Sequence, residues 1–214
     1  SAESENVAGE IFIDVPHPQL WDVKSPTLYR LETSLFDKNG AKIDRYTTRF
    51  GIRKIEISRE NGFVLNGKKT AINGVCMHHD LGPIGAATNV RALKRQLETL
   101  KEMGCNAIRT SHNPPSPELL DLCDEMGFIV EDEAFDEWRH QKCENGYHKL
   151  FNEWAEKDLT AFVKRDRNHP CVALWSIGNE VNDQRFPDGG ATAKFLVDIV
   201  HRVDPTRPVT AGIN

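Results

Sequence analysis

The pattern of hydrophobic and polar positions changes near residue 60, and the part before it has the period of β-strands. Polar and apolar residues alternate through Leu28–Phe36, and Ile43–Ile57 is rich in β-branched and aromatic side chains. Between them, Asp37–Gly40 ends in Asn-Gly, a pair that tolerates the positive φ angles of a hairpin turn. A short apolar run, Glu10–Val15, precedes these segments. Residues 1–60 are therefore predicted to form the last strands of an antiparallel β-sandwich.

Beyond Phe63, short apolar runs alternate with segments in which apolar residues recur at helical spacing. The short runs are predicted strands: Thr70–Met77, Asn106–Thr110, Phe128–Val130, Val172–Ile177 and Pro208–Ile213. Helices are predicted between them from Val90 to a stop at Gly104, and over Ser116–Gly127, Leu150–Arg165 and Ala191–Val203. Alternating strands and helices build right-handed βαβ units, so residues 61–214 are predicted to carry a parallel sheet.

Two α/β architectures fit such a sheet, a doubly wound sheet and a β/α barrel. A doubly wound nucleotide-binding sheet would place a glycine-rich loop after its first strand, but Cys76–Asp80 stands there. Polar side chains instead follow the carboxyl ends of the predicted strands, where barrel enzymes carry their chemistry. They are His78, Arg109, His112, Glu133, Asp136, Asn179 and Glu180. A complete barrel has eight strands in about 250 residues, so residues 61–214 are predicted to hold its first part, about five strands.

Composition narrows the classes of partner. The chain has 27 basic and 32 acidic side chains, a net charge of -5, and no run of Lys or Arg. Neither nucleic acid nor an anionic membrane surface is therefore expected as a partner, and no apolar stretch approaches a membrane span. A neutral small molecule suits this charge better. The five cysteines are scattered and odd in number, which predicts reduced thiols and leaves the compartment open.

Glu180 follows a predicted buried strand that ends in Gly-Asn, and it has two interpretations. In the first it is a proton donor at the mouth of the sheet, as glycoside hydrolysis requires of one of two carboxyl groups. In the second the strand is closed by a Gly-Asn turn, and Glu180 belongs to the first turn of the next helix. On the residues alone, the second interpretation is favoured.

Arg109 and His112 lie at the end of another strand, and their interpretations are equally supported. His112 stands where a neutral sugar could be bonded, and Arg109 could fix a catalytic carboxylate through its bidentate guanidinium. The alternative is a polar loop in which Arg109 pairs with a neighbouring carboxylate.

The histidine pair His78-His79 suggests a metal at first, but adjacent strand residues point to opposite faces. Cys76 and His78 could share a face, yet no second cluster of metal ligands follows. We therefore predict no metal, with one histidine on the ligand and the other packed.

The carboxylates of one segment and three of the tryptophans are each expected to lie either at the site or away from it. Glu131–Glu137 is dense in carboxylates, and at a barrel strand end some of them should face the pocket. Trp138 and Trp175 could offer a flat face to a sugar ring, although tryptophan is more often core. Trp154 is expected to face the core from its helix.

Two long stretches carry a resemblance to a known family. They are Asn106–Pro114, which reads NAIRTSHNP, and Arg167–Glu180, which reads RNHPCVALWSIGNE. Together with Leu20-Trp21, Pro26–Tyr29 and Phe50–Arg53, they resemble glycoside hydrolase family 2, over nearly the whole chain. The resemblance implies an immunoglobulin-like β-sandwich followed by a TIM barrel. Gly74–Gly82 and Asp132–Trp138 look most like the β-galactosidase branch.

The resemblance implies an activity. It is retaining hydrolysis of terminal β-galactosides or oligosaccharides by double displacement. The alternatives are a β-glucuronidase or β-mannosidase of the same family, or a non-catalytic remnant that binds sugar. A metal-dependent barrel hydrolase is disfavoured by the histidine spacing.

The family also implies roles for particular residues. Glu180 matches the general acid/base, Asn179 the partner of the sugar 2-hydroxyl, and Arg109 a support for the nucleophile. His112 and His78 match residues of the sugar subsite. In addition, Asp136 is expected to bind substrate and Glu133 to support the site. Glu137 falls where some β-galactosidases hold magnesium, but Arg139 replaces the partner histidine, so no cofactor is expected to be required.

The nucleophile of the family is a glutamate on a late barrel strand, expected beyond Asn214. The isolated chain is therefore expected to be inactive. If it were active, Glu133 or Asp136 would be the expected nucleophile. An open half-barrel exposes strand edges, so a homo-oligomer is expected.

Overall fold

The computed structural model describes residues 11–214, so the first ten residues of the predicted sandwich region lie outside it. The described part of the predicted run Glu10–Val15 contains no strand. The first elements are β1 (Tyr29–Phe36) and β2 (Lys42–Phe50), which pair antiparallel from Tyr29 opposite Phe50. The Asp37 carboxylate closes the predicted turn by accepting the backbone N–H groups of Asn39 and Ala41.

A small antiparallel sheet follows, with the strand order β3 (Ile55–Ser58), β4 (Gly62–Leu65) and β5 (Lys68–Lys69). No strand was predicted at the positions of β4 and β5. Because β3 pairs with β4 from Ile55 opposite Leu65, this sheet spans the predicted domain boundary at residue 60.

The remainder alternates strand and helix as predicted. The strands are β6 (Gly74–His78), β7 (Ala107–Ser111), β8 (Ile129–Glu133), β9 (Val172–Asn179) and β10 (Val209–Gly212). The helices are α1 (Val90–Glu102), α2 (Pro117–Met126), α3 (His148–Asp166) and α4 (Gly189–Val203). The five strands are parallel, in the order β10-β9-β8-β7-β6. Chain order without a reversal is that of a barrel wall, because a doubly wound sheet reverses at a switch point.

Helix ends follow local chemistry. The Asn89 side chain caps α1 by accepting the N–H of Ala92. Pro117 opens α2, and Gly127 ends it in the left-handed region at φ 69°. Ser116, which immediately precedes the helix, makes no side-chain hydrogen bond to it, so the preset φ of proline begins α2 without a side-chain cap. No helix within residues 11–214 has the length and apolar character to cross a bilayer.

The core lies between the sheet and its helices. Trp138 and Trp175 are fully buried there, so the interpretation that they stack on sugar is wrong. Trp154 was expected inward but is 41% exposed, with the Lys157 ammonium over its ring. The five cysteines are free thiols, as predicted.

The segment before β1 is fastened to the amino-terminal end of the sheet through Trp21. Its indole is buried and donates to the Asp124 carbonyl of α2 at 2.9 Å. Arg53 donates to the Pro170 carbonyl just before β9. A Cβ on Gly127 would come within 2.5 Å of the Val23 carbonyl oxygen, so only glycine admits this approach.

We predict that Trp21→Ala destabilises the protein far more than Trp154→Ala. The first change empties a buried site and leaves a carbonyl without its donor, at a cost of about 3–5 kcal/mol. The second truncates a half-exposed ring. Urea unfolding of the purified variants measures the difference, and equal midpoints for the two would contradict this account of the junction.

Candidate active site

The carboxyl ends of β7, β8 and β9 meet at a buried ion pair. Arg109 donates from Nε and Nη2 to Oε2 of Glu133, at 3.0 and 2.7 Å. Burial disfavours the charged guanidinium, but hydrogen bonding to Glu133 and its charge outweigh burial and raise the pKa of Arg109. The predicted pairing of Arg109 with a neighbouring carboxylate is thus present in the structure.

Glu133 has no exposed surface, and its carboxylate is fully engaged. Besides Arg109, it accepts the Ser176 hydroxyl at 2.5 Å, and His112 Nδ1 lies 2.6 Å from Oε1. Its backbone N–H donates to the Thr110 hydroxyl at 2.8 Å. A carboxylate held by three side chains supports its neighbours and is poorly placed to attack a substrate, which favours the supporting role.

Asn179 connects this ion pair to a second one. Its Oδ1 accepts from Arg109 at 2.9 Å, and its Nδ2 donates to Asp136 Oδ1 at 2.9 Å. The same Asp136 oxygen accepts the Lys142 ammonium at 2.6 Å. The amide orientation of Asn179 is therefore set by partners on both sides, and one N–H remains for a ligand.

Glu180 directly follows β9 in the left-handed region, at φ 46°. Its backbone N–H donates to the Gly212 carbonyl of β10 at 2.7 Å, while its side chain is exposed. The next turn is a 3₁₀ helix at Asn182–Arg185, and α4 begins only at Gly189. The interpretation of Glu180 as a helix-start residue is therefore wrong, because the strand ends there in a turn.

Two histidines complete the described edge of the site. The rings of His78 and His112 meet edge to face, with centroids 5.2 Å apart. His79 turns away and contacts the Ala86 carbonyl of its own loop at 2.8 Å. Because Nδ1 of His112 faces Glu133, its Nε2 is the nitrogen left for a ligand.

A cavity of about 600 Å³ opens beside these residues, between the loop after β7, the loop after β8 and α3. Its lining includes the aromatic residues Phe135, Tyr147 and Phe162 and the polar residues His112, Asp136, Glu137, Asp158 and Arg165. Such a lining suits an apolar group attached to a polar one.

Sequence reasoning missed Lys142, Ser176 and Thr110. Ser176 and Thr110 lie inside predicted strands, where alternation assigns each side chain to a face of the sheet but does not identify its hydrogen-bond partner. Lys142 lies in the irregular segment between β8 and α3, where no periodicity indicates which side chains turn inward. The separation of six residues between Lys142 and Asp136 does not indicate their ion pair either.

Glu137 does not fit a magnesium ion. Its Oε1 accepts the backbone N–H groups of Lys142 and Cys143, and its Oε2 accepts the backbone N–H of His148 and faces that ring. Burial opposes ionisation, but these donors outweigh it and lower the pKa of Glu137 to about 2. A cation would have to approach against the same N–H dipoles.

One group of metal-type ligands occurs in residues 11–214, formed by Asp124, His169 and Cys171. Cys171 immediately precedes β9, so the group lies at the amino-terminal end of the sheet, away from the site. His169 Nδ1 and Asp124 Oδ2 are already at hydrogen-bond distance, 2.6 Å. Burial raises the pKa of the Cys171 thiol well above its usual value and disfavours the thiolate that binds metals. These contacts suit a structural cluster.

Fold and site together define part of a β/α barrel with carboxyl groups at its strand ends, and comparison with known proteins gives the family. The model described as glycosyl hydrolases family 2, TIM barrel domain, matches residues 55–213, and the model described as glycosyl hydrolases family 2 matches residues 1–53. The chain belongs to glycosyl hydrolases family 2. The predicted architecture, the first part of a TIM barrel preceded by strands of a β-sandwich, is confirmed.

Individual relatives agree with this assignment. The Beta-galactosidase BoGH2A of Bacteroides ovatus is 51% identical over 94% of this chain. A solved structure of a family 2 member from Bacteroides cellulosilyticus superposes with a TM-score of 0.89 at 45% identity over 92% of this chain. The β-glucuronidase of Parabacteroides merdae gives 0.78 at 29% identity, also over 92%. This chain spans about a quarter of their lengths, at 27%, 25% and 24% respectively.

The pKa of Glu137 generates a prediction about acid stability. A pKa lowered from 4.5 to about 2 contributes stability that is fully present above pH 4.5 and is lost as pH falls through about 2. Glu137→Gln should therefore be less stable than wild type near neutral pH, and the difference should shrink toward pH 2.

Urea unfolding between pH 2 and 7 measures that difference. Glu144→Gln, an exposed change in the same segment, is the matched control and should track wild type throughout. A stability difference for Glu137→Gln that stays constant with pH would contradict the assignment.

Proposed function

We propose that this chain is part of a retaining β-glycosidase for terminal β-galactosides, with Glu180 as its general acid/base. The observation that carries the proposal is the position of Glu180. It directly follows β9, with an exposed carboxyl group beside the fixed side chain of Asn179. The second carboxylate, the nucleophile, is proposed to lie in the parent protein beyond residue 214, and residues 1–214 alone are expected to be inactive.

The chemistry has two steps. The nucleophile attacks the anomeric carbon while the Glu180 carboxylic acid gives its proton to the departing glycosidic oxygen. A covalent glycosyl-enzyme results. The Glu180 carboxylate then takes a proton from the water that attacks the same carbon, which frees the sugar and restores both groups. Retaining enzymes hold the two carboxyl groups about 5–5.5 Å apart for this purpose.

The remaining site residues are proposed to hold the sugar. The free N–H of Asn179 suits the 2-hydroxyl, and Nε2 of His112 and the ring of His78 suit other hydroxyls. Asp136 has a carboxylate oxygen beyond the one shared by Lys142 and Asn179, and it can accept a further hydroxyl. The cavity beside Asp136 suits the leaving group.

Charge favours a neutral sugar over a uronic acid. Two cations of the site, Arg109 and Lys142, are already paired with Glu133 and Asp136. A glucuronide would require an unpaired cation for its carboxylate. This supports the β-galactoside over the β-glucuronide, as does the 51% identity to a β-galactosidase. Activity on nitrophenyl β-glucuronide exceeding that on the β-galactoside would reverse the choice.

No metal is assigned a role in this proposal. The Glu137 carboxylate supports the absence of a metal role, because both of its oxygens already accept backbone N–H groups. Activity of the full-length parent protein should therefore survive dialysis against a chelator, whereas a metal-dependent hydrolase would lose it.

Glu180→Gln in the full-length parent protein tests the acid/base role. The amide keeps the shape but cannot transfer the proton, so substrates with poor leaving groups should lose roughly 100- to 10,000-fold in rate. An activated nitrophenyl leaving group needs little protonation, and its first step should suffer much less. Added azide should restore turnover and yield a β-glycosyl azide, because this anion attacks without a general base.

Glu153→Gln, an exposed change on α3, is the control and should behave as wild type. Equal losses on both substrate types with no azide rescue would refute the assignment. Binding of galactosides without turnover by the intact wild-type protein would instead favour the non-catalytic remnant.

Double displacement predicts net retention of configuration. Proton NMR of the reaction catalysed by the full-length parent protein should show the β-anomer of the sugar first, with the α-anomer appearing later by mutarotation. An α-anomer formed first would require a single displacement with carboxyl groups about 6.5–9.5 Å apart, and the retaining proposal would be abandoned.

A further inference from the structure

Lys142 makes more contacts than an ordinary surface lysine. Its ammonium donates to Asp136 Oδ1 at 2.6 Å, to the Asn179 carbonyl at 2.9 Å and to the Asp136 carbonyl at 3.3 Å. An ammonium has three N–H donors, and these three acceptors use all of them. Its side chain is only 25% exposed.

One of these acceptors is the carbonyl of the peptide that joins Asn179 to Glu180. The N–H of the same peptide belongs to Glu180 and donates to the Gly212 carbonyl at 2.7 Å. This peptide unit is therefore held at both ends, by Lys142 on one side and by β10 on the other. Its plane fixes where the Glu180 Cα stands and in which direction its side chain leaves the strand.

Lys142 is itself held in place by its segment. The Glu137 carboxylate accepts the backbone N–H of Lys142. Arg139 and His140 lie earlier in the same segment. Their backbone N–H groups donate to the buried Asp183 carboxylate, which follows β9, at 3.2 and 3.1 Å. The loops after β8 and β9 are thus joined, which holds the Lys142 backbone where its ammonium reaches the Glu180 peptide.

We infer that Lys142 is a positioning residue, whose ammonium orients the Asn179–Glu180 peptide and thereby aims the Glu180 carboxyl group at the glycosidic oxygen. The inference rests on the proposed function of Glu180. Without the ammonium, the Asp136 carboxylate and the Asn179 carbonyl lose their common donor. Asp136 is half exposed and would turn toward water, which would also release its hydrogen bond to the Asn179 side chain.

The same geometry indicates that stability depends little on Lys142. A partly exposed ion pair contributes little to folding, because water solvates both partners when they separate. Substitution should therefore change the direction of proton delivery more than the unfolding midpoint. This separates a positioning role from a structural one.

The experiment compares Lys142→Met, Lys142→Arg and Lys149→Met in the full-length parent protein. Lys142→Met keeps the aliphatic chain and removes the charge. It should lose about 100-fold in kcat/KM on a galactoside with a poor leaving group, as expected for a misdirected catalytic group. On nitrophenyl galactoside the loss in the first step should be at least tenfold smaller. Lys142→Arg retains a cationic donor and should recover part of the lost rate.

Lys149→Met is the matched control, because Lys149 lies near the same segment, is exposed and donates its ammonium to the Asn145 side chain. It should leave both rates unchanged. If Lys142→Met slows both substrates equally, or lowers the unfolding midpoint without changing the ratio of their rates, Lys142 is structural and the inference is wrong.

Glu180→Gln on the same two substrates separates this inference from the proposed function. A leaving-group dependence in Glu180→Gln that is absent from Lys142→Met overturns the role of Lys142 alone. Absence of that dependence in Glu180→Gln overturns the acid/base assignment, and the role of Lys142 falls with it.

Discussion

The buried carboxylate of Glu133 is the constraint on which the rest of the site depends. A charge without exposed surface is costly unless hydrogen bonds and an opposite charge replace its water. Glu133 obtains them from Arg109 on β7, from Ser176 on β9 and from His112 after β7. Satisfying one carboxylate therefore brings the ends of three strands into a single arrangement, before any substrate is present.

Arg109 links this buried arrangement to side chains nearer the surface. Its Nη2 also donates to Asn179, whose amide bonds Asp136, whose carboxylate in turn bonds Lys142. Cations and anions balance along this chain of contacts, so the network is close to neutral. It offers unused hydrogen-bonding groups to sugar hydroxyls instead of a net charge. That is the electrostatic surface a neutral sugar requires. Such networks are also cooperative, because each bond fixes the donor or acceptor of the next.

Burial patterns explain how much of this could be predicted from the sequence. The parallel strands and their helices were predicted because period 2 and period 3.6 report which faces are buried, and the polar residues at strand ends followed from the barrel direction. The same logic failed for Trp154, because an aromatic residue at helical spacing can still lie at the edge of the apolar stripe. It failed for Glu180, because a strand that ends in a left-handed turn has the same residues as one that enters a helix. Lys142 had no signal, since its bond to the Asn179 carbonyl joins residues 37 apart through an aperiodic segment.

The two ends of the sheet separate stability from chemistry. At the amino-terminal end, Trp21 and Arg53 bind carbonyls of α2 and of the segment before β9, and these contacts contribute to the free energy of unfolding. At the carboxyl-terminal end, the outer ion pair of Asp136 and Lys142 is partly exposed, so water can solvate either partner when the other is lost. A substitution of either partner there changes the orientation of the remaining polar groups rather than the buried apolar area. For this reason, losses at Glu180 and Lys142 should appear as a change in selectivity between leaving groups, whereas losses at Trp21 should lower the population of folded molecules and leave that selectivity intact.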